Sequence, residues 1–404
     1  MVCAGTVCME KSVQSADSSP PQAARLDLRF VDGLRAVAAL LVVLHHACCT
    51  AYPGGADTAP VWTRCLCSGH TVPVFMVISG FCLMLPIVRG DGTLRGGAGT
   101  FFLKRARRIA PPYYFAIGFS LALDFLCLGP PVGKLCPGTP VGRFWDYTLP
   151  VTWHSLGVHL LLLQNFFGSE IFSINYAFWS LSLEAAIYLL FPGLVWVWKR
   201  LGAIATAASL LVLTFVLHRV CERVLHNGFM LHFVGLFALG MLAAEVAYTQ
   251  NLALCRLRGR LPWGALSGIA AVLLALAMTG RIRHFSSSGL VDLLVAVLTL
   301  CLLVTVTVQP QCWAGRLLSS RNLVFIGGFA YSIYLVHAPL LQLLWQFVFL
   351  RLHFSPSAAY LLLVGTGIPL VVLLSFVFFF FCERPFTAKY ARLPVKTASN
   401  RSAT

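Results

Sequence analysis

The sequence predicts an all-α, polytopic membrane bundle of about ten transmembrane helices plus one re-entrant or interfacial helix, with the N- and C-termini cytoplasmic. Three observations carry that prediction. Of 404 residues, 58% are hydrophobic and only 11% charged, against about 25% charged in a soluble domain. Mean hydropathy is +0.81, which leaves too little polar surface to cover soluble cores of this size. The apolar residues also fall in long unbroken runs rather than in the alternation of a membrane β-barrel. These features exclude a soluble enzyme, a secreted disulfide domain and a disordered protein.

The elements follow in chain order. Residues 1–24 are small and polar and end in Ser18-Ser19-Pro20-Pro21, which predicts a disordered tail. They lack the charged and apolar regions of a signal peptide. Residues 25–386 form the transmembrane domain. Its apolar segments lie at about 33–51, 70–88, 109–128, 179–198, 201–217, 229–248, 262–280, 289–308, 323–348 and 359–382. Most of them reach the ~20 residues a membrane helix needs. The stretch 152–168 is shorter and carries His154, His159, Gln164 and Asn165, so it is expected to be re-entrant or interfacial. Residues 387–404 form a basic tail.

Lys and Arg total 30 and Asp and Glu 14, for a formal charge of +16. In a soluble chain that excess would suggest nucleic acid. In a bundle it orients helices, and no nucleic-acid partner is expected. With a cytoplasmic N-terminus, 22 of the 30 basic residues fall on the inner side, as the positive-inside rule requires. This implies a multi-pass protein of the cytoplasmic (inner) membrane. Counting 152–168 as a full span would weaken that bias. The 14 cysteines show no metal-binding spacing: Cys65 and Cys67 are two apart, and most others, such as Cys82, Cys127, Cys301 and Cys382, sit in apolar runs. They are expected to pack, and no metal is expected.

Ionisable side chains at bilayer depth are costly, so each is a candidate for function. Arg35 and His46 in the first helix are eleven residues apart, about 20° beyond three full turns and roughly 16 Å along the axis. Asp32 lies about 40° from His46 on the same stripe, whereas His45, 100° away, is expected to point elsewhere. The stripe suits an anion held at the cytoplasmic mouth by Arg35 and a reactive imidazole deep in the bilayer at His46. The plainer reading is an Asp32–Arg35 salt bridge and a packing histidine. Arg105 and Arg108 are three apart and share a helical face. A guanidinium pair suits phosphate, and equally well anchors topology. Glu184 lies near a helix start and is expected to be paired, protonated or lining a cavity. His337 lies mid-span, to contact substrate or bond a neighbouring helix. Asp124, Glu245 and Asp292, near span ends, are expected to be solvated or paired.

At these residues the chain resembles the membrane acyltransferase-3 family. The resemblance starts in Arg29-Phe30-Val31-Asp32-Gly33-Leu34-Arg35, from which an Arg, ten residues and a His place Arg35 and His46 in the family's positions. It continues through Phe75-Met76-Val77-Ile78-Ser79-Gly80-Phe81, the pair Arg105 and Arg108, Leu163-Gln164-Asn165-Phe166, Trp179 to Glu184, Tyr331 to His337 and Glu383-Arg384-Pro385. These blocks run in order from residue 29 to 386. Ala36, Pro73 and Met76 depart from the pattern without removing a motif Arg, His or Glu; Pro73 is expected to bear on acceptor choice.

The resemblance implies an acyl-CoA-dependent O-acyltransferase, with acetyl-CoA as the default donor. The acceptor would be a hydroxyl of a glycan or small molecule. His46 would be the general base, with Arg35 and Glu184 beside it in catalysis. Arg35, Arg105 and Arg108 would bind the donor, and Ser79 and His337 would line the acceptor site. No counterpart of the family's frequent extracytoplasmic hydrolase-like domain is found, so a stand-alone enzyme is expected. Transient acylation of a side chain is the alternative route. A transporter or flippase using the same polar stripe is the alternative function, although inverted repeats and broken helices in matching halves are not found. The other large family of multi-span acyltransferases, with its His and Asn, lacks the Arg and His blocks seen here.

Overall fold

A computed structural model describes residues 26–52, 59, 60, 63, 69–128, 148, 150–224, 230–278, 288–349 and 352–387. The N-terminal tail, nearly all of the basic C-terminal tail, and Cys65 and Cys67 lie outside the described residues. Every element among the described residues is helical. In order these are α1 (Arg29–Ala51), α2 (Val72–Val88), α3 (Gly97–Leu128), α4 (Trp153–Leu160), α5 (Trp179–Leu201), α6 (Ala203–Val224) and α7 (His232–Tyr248). Then come α8 (Leu252–Arg260), α9 (Trp263–Met278), α10 (Ser288–Val308), α11 (Trp313–Leu318), α12 (Arg321–Gly327) and α13 (Ala330–Leu344). The last run starts with α14 (Pro356–Leu362), continues through α15 (Ile368–Phe378) and ends at Phe386.

The sequence predicts ten spans; among the described residues six helices or helical runs are long and apolar enough to cross a membrane. α7 with α8 would add a seventh, but the two are bent by 93°. Asn251 makes that bend by capping α8, its Oδ1 accepting from the Ala253 and Leu254 amides. Arg258 then donates to the Ala247 carbonyl at the end of α7. α2 and α9 are apolar but have only 17 and 16 residues, about 25 Å of helix against a ~30 Å core.

Three differences from the expected segments bear on the site. The basic cluster at 104–108 is not in a loop, because α3 begins at Gly97 and runs unbroken through Pro111 and Pro112. Those prolines lack the N–H groups that would bond the Arg107 and Arg108 carbonyls. The 323–348 segment breaks between α12 and α13 at Gly328-Phe329. The final run contains two π-turns, Leu363–Gly367 and Phe379–Glu383. A π-turn inserts a residue and so rotates the next turn about the helix axis. The 152–168 stretch is too short to span: α4 has eight residues, capped by Thr152 and Ser155, with a 3₁₀ turn after it at Gln164–Phe166.

The bundle is centred on α7, which is apolar but for His232 and Glu245 and buried along most of its surface, as such helices are. α2 crosses it at very close range. A Cβ on Gly80 would lie 2.1 Å from the Phe237 carbonyl oxygen, and one on Gly240 would lie 2.0 Å from that of Val77. Small residues that let backbones approach are how membrane helices associate without a hydrophobic drive. α1 uses the same device on its other side. There a Cβ on Gly33 would lie 1.8 Å from the Leu318 carbonyl oxygen, and one on Gly327 would lie 1.9 Å from that of Asp32. Gly80→Val will therefore force α2 from α7, at a cost of about 1–3 kcal/mol or more for overpacking. Thermal unfolding of the detergent-solubilised protein will register it as a lower midpoint. Gly99→Ala, with nothing within 4 Å of the added methyl, will leave the midpoint unchanged; equal midpoints for both variants would refute the contact.

Candidate active site

Two cavities lie along α1. The first has a volume of about 260 Å³ and gathers side chains from distant stretches of the chain. α1 contributes Asp32 and Arg35, α2 Ser79, α3 Arg105 and Arg108, and α5 Glu184. α13 contributes Tyr331, and the second π-turn carries Glu383. Five sequence-predicted site residues, Arg35, Ser79, Arg105, Arg108 and Glu184, are thus brought together.

Their bonding divides them. Arg35 is engaged: Nη1 donates to Asp32 Oδ1 at 2.9 Å and Nη2 to Cys82 Sγ at 3.3 Å. The plain salt-bridge reading of Asp32 and Arg35 is therefore correct, and the pair still lines the cavity. Glu184 is held through Oε1, which accepts from Ser79 Oγ at 2.8 Å and from the Tyr188 hydroxyl. Tyr188 lies one helical turn after Glu184, so the two share a face of α5. Glu383 accepts from Ser332 Oγ. Arg105 and Arg108 are different. Arg105 Nε is buried without a partner, and among the described residues neither guanidinium makes a hydrogen bond or an ion pair. Two unengaged cations in a cavity wall favour an anionic ligand.

The second cavity is also about 260 Å³ and lies toward the C-terminal end of α1. His45, His46, Cys49 and Thr50 line it from α1, Thr71 and Val72 from the start of α2, and Tyr176 and Trp179 from the approach to α5. His46 has the Tyr176 ring at 4.6 Å and the His337 ring at 5.1 Å. The stripe geometry excluded His45, but both histidines line this cavity with their rings 4.9 Å apart. A cavity wide enough to receive residues 100° apart on one helix is a feature of the neighbouring helices. His45 is also within 3.7 Å of Cys49 Sγ. His46 and Arg35, on one helix, therefore face separate chambers.

His337 lines neither chamber. It is fully buried, and its Nδ1 donates to the Ile333 and Tyr334 carbonyls at 3.1 and 2.8 Å. In a neutral ring that puts the proton on Nδ1 and leaves Nε2 as an acceptor. Nε2 has no partner.

The segment before α5 is fastened by the polar residues of the 152–168 stretch and the turn after it. Gln164 Nε2 donates to the Phe178 carbonyl at 3.1 Å and Asn165 Nδ2 to that of Trp179 at 2.8 Å. Asn175 ties the turn to α13 by donating to the Leu335 carbonyl at 3.2 Å, while its Oδ1 accepts from the Ala177 amide. These bonds set where Tyr176, Ser180 and Glu184 stand.

Of the three acids near span ends, two are paired. Asp292 accepts from His70 at 2.7 Å and His232 at 3.0 Å, and Glu245 from the Trp198 indole at 3.4 Å. Asp124 corrects the expectation, since it is buried with neither oxygen bonded. Its position on α3 puts it inside the bundle, away from the water its neighbourhood in sequence suggested. Sequence reasoning missed Tyr176, Ser180, Tyr188, Tyr331 and Tyr334. Tyr188, four residues after Glu184, was the one findable from spacing.

Residues 28–380 match the family described as "Acyltransferase domain". A protein of Bacillus subtilis (strain 168) named "Putative peptidoglycan O-acetyltransferase YrhL" is 25% identical over 330 residues, covering 78% of this chain and 48% of the relative. The chain thus spans about half the length of that relative. No solved structure matches. The family match covers most of the chain, as the order of motifs implied, and takes in all of the second chamber and all of the first but Glu383 and Thr387: this chain belongs to the acyltransferase-3 family.

Proposed function

We propose that the chain is an O-acyltransferase of the cytoplasmic membrane, moving an acyl group, acetyl by default, from acyl-CoA to a hydroxyl of a carbohydrate, cell-envelope glycan or natural product. The observation that carries this reading is the unengaged pair Arg105 and Arg108 at a chamber next to one holding His46. Coenzyme A combines an anionic head with a long thin thiol arm. Forked guanidinium groups suit its phosphates, and the arm suits a passage along α1. The excess of Lys and Arg on the Arg-chamber side fits donor entry from the cytoplasm.

His46 serves as general base. It takes the proton of the acceptor hydroxyl as that oxygen attacks the thioester carbonyl carbon. The C–O bond forms, the C–S bond breaks, and coenzyme A leaves as the thiolate, which takes up the proton His46 held. Arg35, kept in place by Asp32, steadies the anionic donor within the arginine chamber. Glu184, fixed by Ser79 and Tyr188, holds the wall of the donor chamber. The buried His337 ring, 5.1 Å from that of His46, backs the base by packing.

The test is direct. Protein in lipid nanodiscs, given acetyl-CoA and a panel of hydroxylated glycans, will release free coenzyme A thiol and add one acetyl mass to an acceptor. Failure to release thiol with any acceptor, from protein that still binds the donor, would sink the reading. Mass spectrometry of glycans and metabolites from cells with and without the gene will identify the acceptor by the same mass shift.

A further inference from the structure

Tyr334 is the one residue that lines both chambers among the described residues. Its hydroxyl donates to the Ala177 carbonyl at 2.7 Å and accepts from Ser180 Oγ at 2.6 Å. Ala177 lies just before the start of α5 and Ser180 just after it, so the phenol bridges α13 to that turn. The ring packs against Phe75 from α2 at 5.9 Å, edge to face. Tyr334 and Ser180 are both buried. The ring is thus held at its tip by two hydrogen bonds and on its side by a second aromatic ring, a rigid placement for a wall. On one side lie Arg35, Arg105 and Arg108; on the other lie His45 and His46.

We infer that Tyr334, backed by Phe75, sets the acyl-chain length the enzyme accepts. The inference rests on the reading that acyl-CoA enters from the arginine chamber. A donor arriving there presents its thioester tip-first to the wall. The thioester carbonyl must reach the edge of the histidine chamber, and whatever extends beyond the carbonyl meets the Tyr334 and Phe75 rings. A methyl group fits against such a wall; a longer chain has to displace a ring fixed by two hydrogen bonds. Removing the ring merges the two chambers and gives a longer chain somewhere to lie. Pockets discriminate by roughly ten- to two-hundred-fold per methylene when a wall is rigid.

The experiment measures kcat/KM for acetyl-, butyryl- and hexanoyl-CoA with the wild type, Tyr334→Ala, Tyr334→Phe and Phe75→Ala. The ratio of hexanoyl to acetyl is read, so partial loss of folded protein cancels. The wild type is expected to favour acetyl strongly. Tyr334→Ala is expected to raise the ratio at least tenfold, and Phe75→Ala to raise it less. Tyr334→Phe keeps the ring and loses the hydrogen bonds, so its ratio will lie between wild type and Tyr334→Ala. An unchanged ratio in both alanine variants would overturn the inference. So would loss of turnover with every donor in both variants while donor binding persists, because a wall that only limits length is not needed for acetyl transfer. A wild type that uses no acyl-CoA at all would instead remove the reading on which the inference rests.

Discussion

His46→Ala is expected to lower acyl transfer by about 10²–10⁴-fold, the usual worth of a positioned general base, with expression and thermal stability near those of the wild type. The argument is local. His46 lines a chamber with a tyrosine ring at 4.6 Å and a second imidazole at 5.1 Å, and replacing it by alanine removes a proton acceptor from a cavity without emptying the packed core. The measurement is acetyl transfer at saturating donor and acceptor, alongside size-exclusion chromatography to show that the variant folds. Retention of more than half the activity would refute the role. His45→Ala is the informative companion, since His45 lines the same chamber: a larger loss there would move the base by one residue. Cys49→Ser completes the set. Direct transfer leaves it active, whereas an acyl group carried on the sulfur beside His45 would make the serine variant nearly inactive.

Combining Arg105→Ala with Arg108→Ala is expected to raise the apparent KM for the donor by about 100-fold, with the acceptor KM nearly unchanged. A hydrogen bond to a charged group contributes about 1.5–3 kcal/mol, and about 1.4 kcal/mol is tenfold in affinity, so losing two overlapping contacts to phosphate reaches that range. Arg35→Ala should behave differently. Arg35 is already bonded to Asp32 and Cys82, so its removal strands a carboxylate as well and should lower kcat together with donor affinity. Initial rates across donor concentrations separate the two patterns. An unchanged donor dependence in the double variant would leave Arg105 and Arg108 as topology anchors only.

Much of the protein was legible in the chain because hydropathy is a local property. Each apolar run must satisfy its backbone internally in lipid, and so α1, α2, α5, α6, α7, α9 and α10 stand close to where the runs predicted them. The breaks were less legible. Gly328-Phe329 divides a run that looks continuous, just after Gly327 brings α12 against the Asp32 backbone, and no feature of residues 323–348 names that neighbour. The basic cluster could be assigned either way from spacing. That Arg105 and Arg108 make no hydrogen bond or ion pair among the described residues is what favours an anion site.

What the sequence determined by itself was the class of protein, the family and the charged residues Arg35, Arg105, Arg108 and Glu184 with His46, which line the chambers, since side-chain chemistry and motif order are written in one dimension. Tertiary structure alone decided how those residues are shared out. Arg35 and His46 lie on one helix and look like one stripe, yet Tyr334, far downstream on α13, stands between their cavities. A helix sequence records which face is polar; it does not record which distant side chain closes that face off.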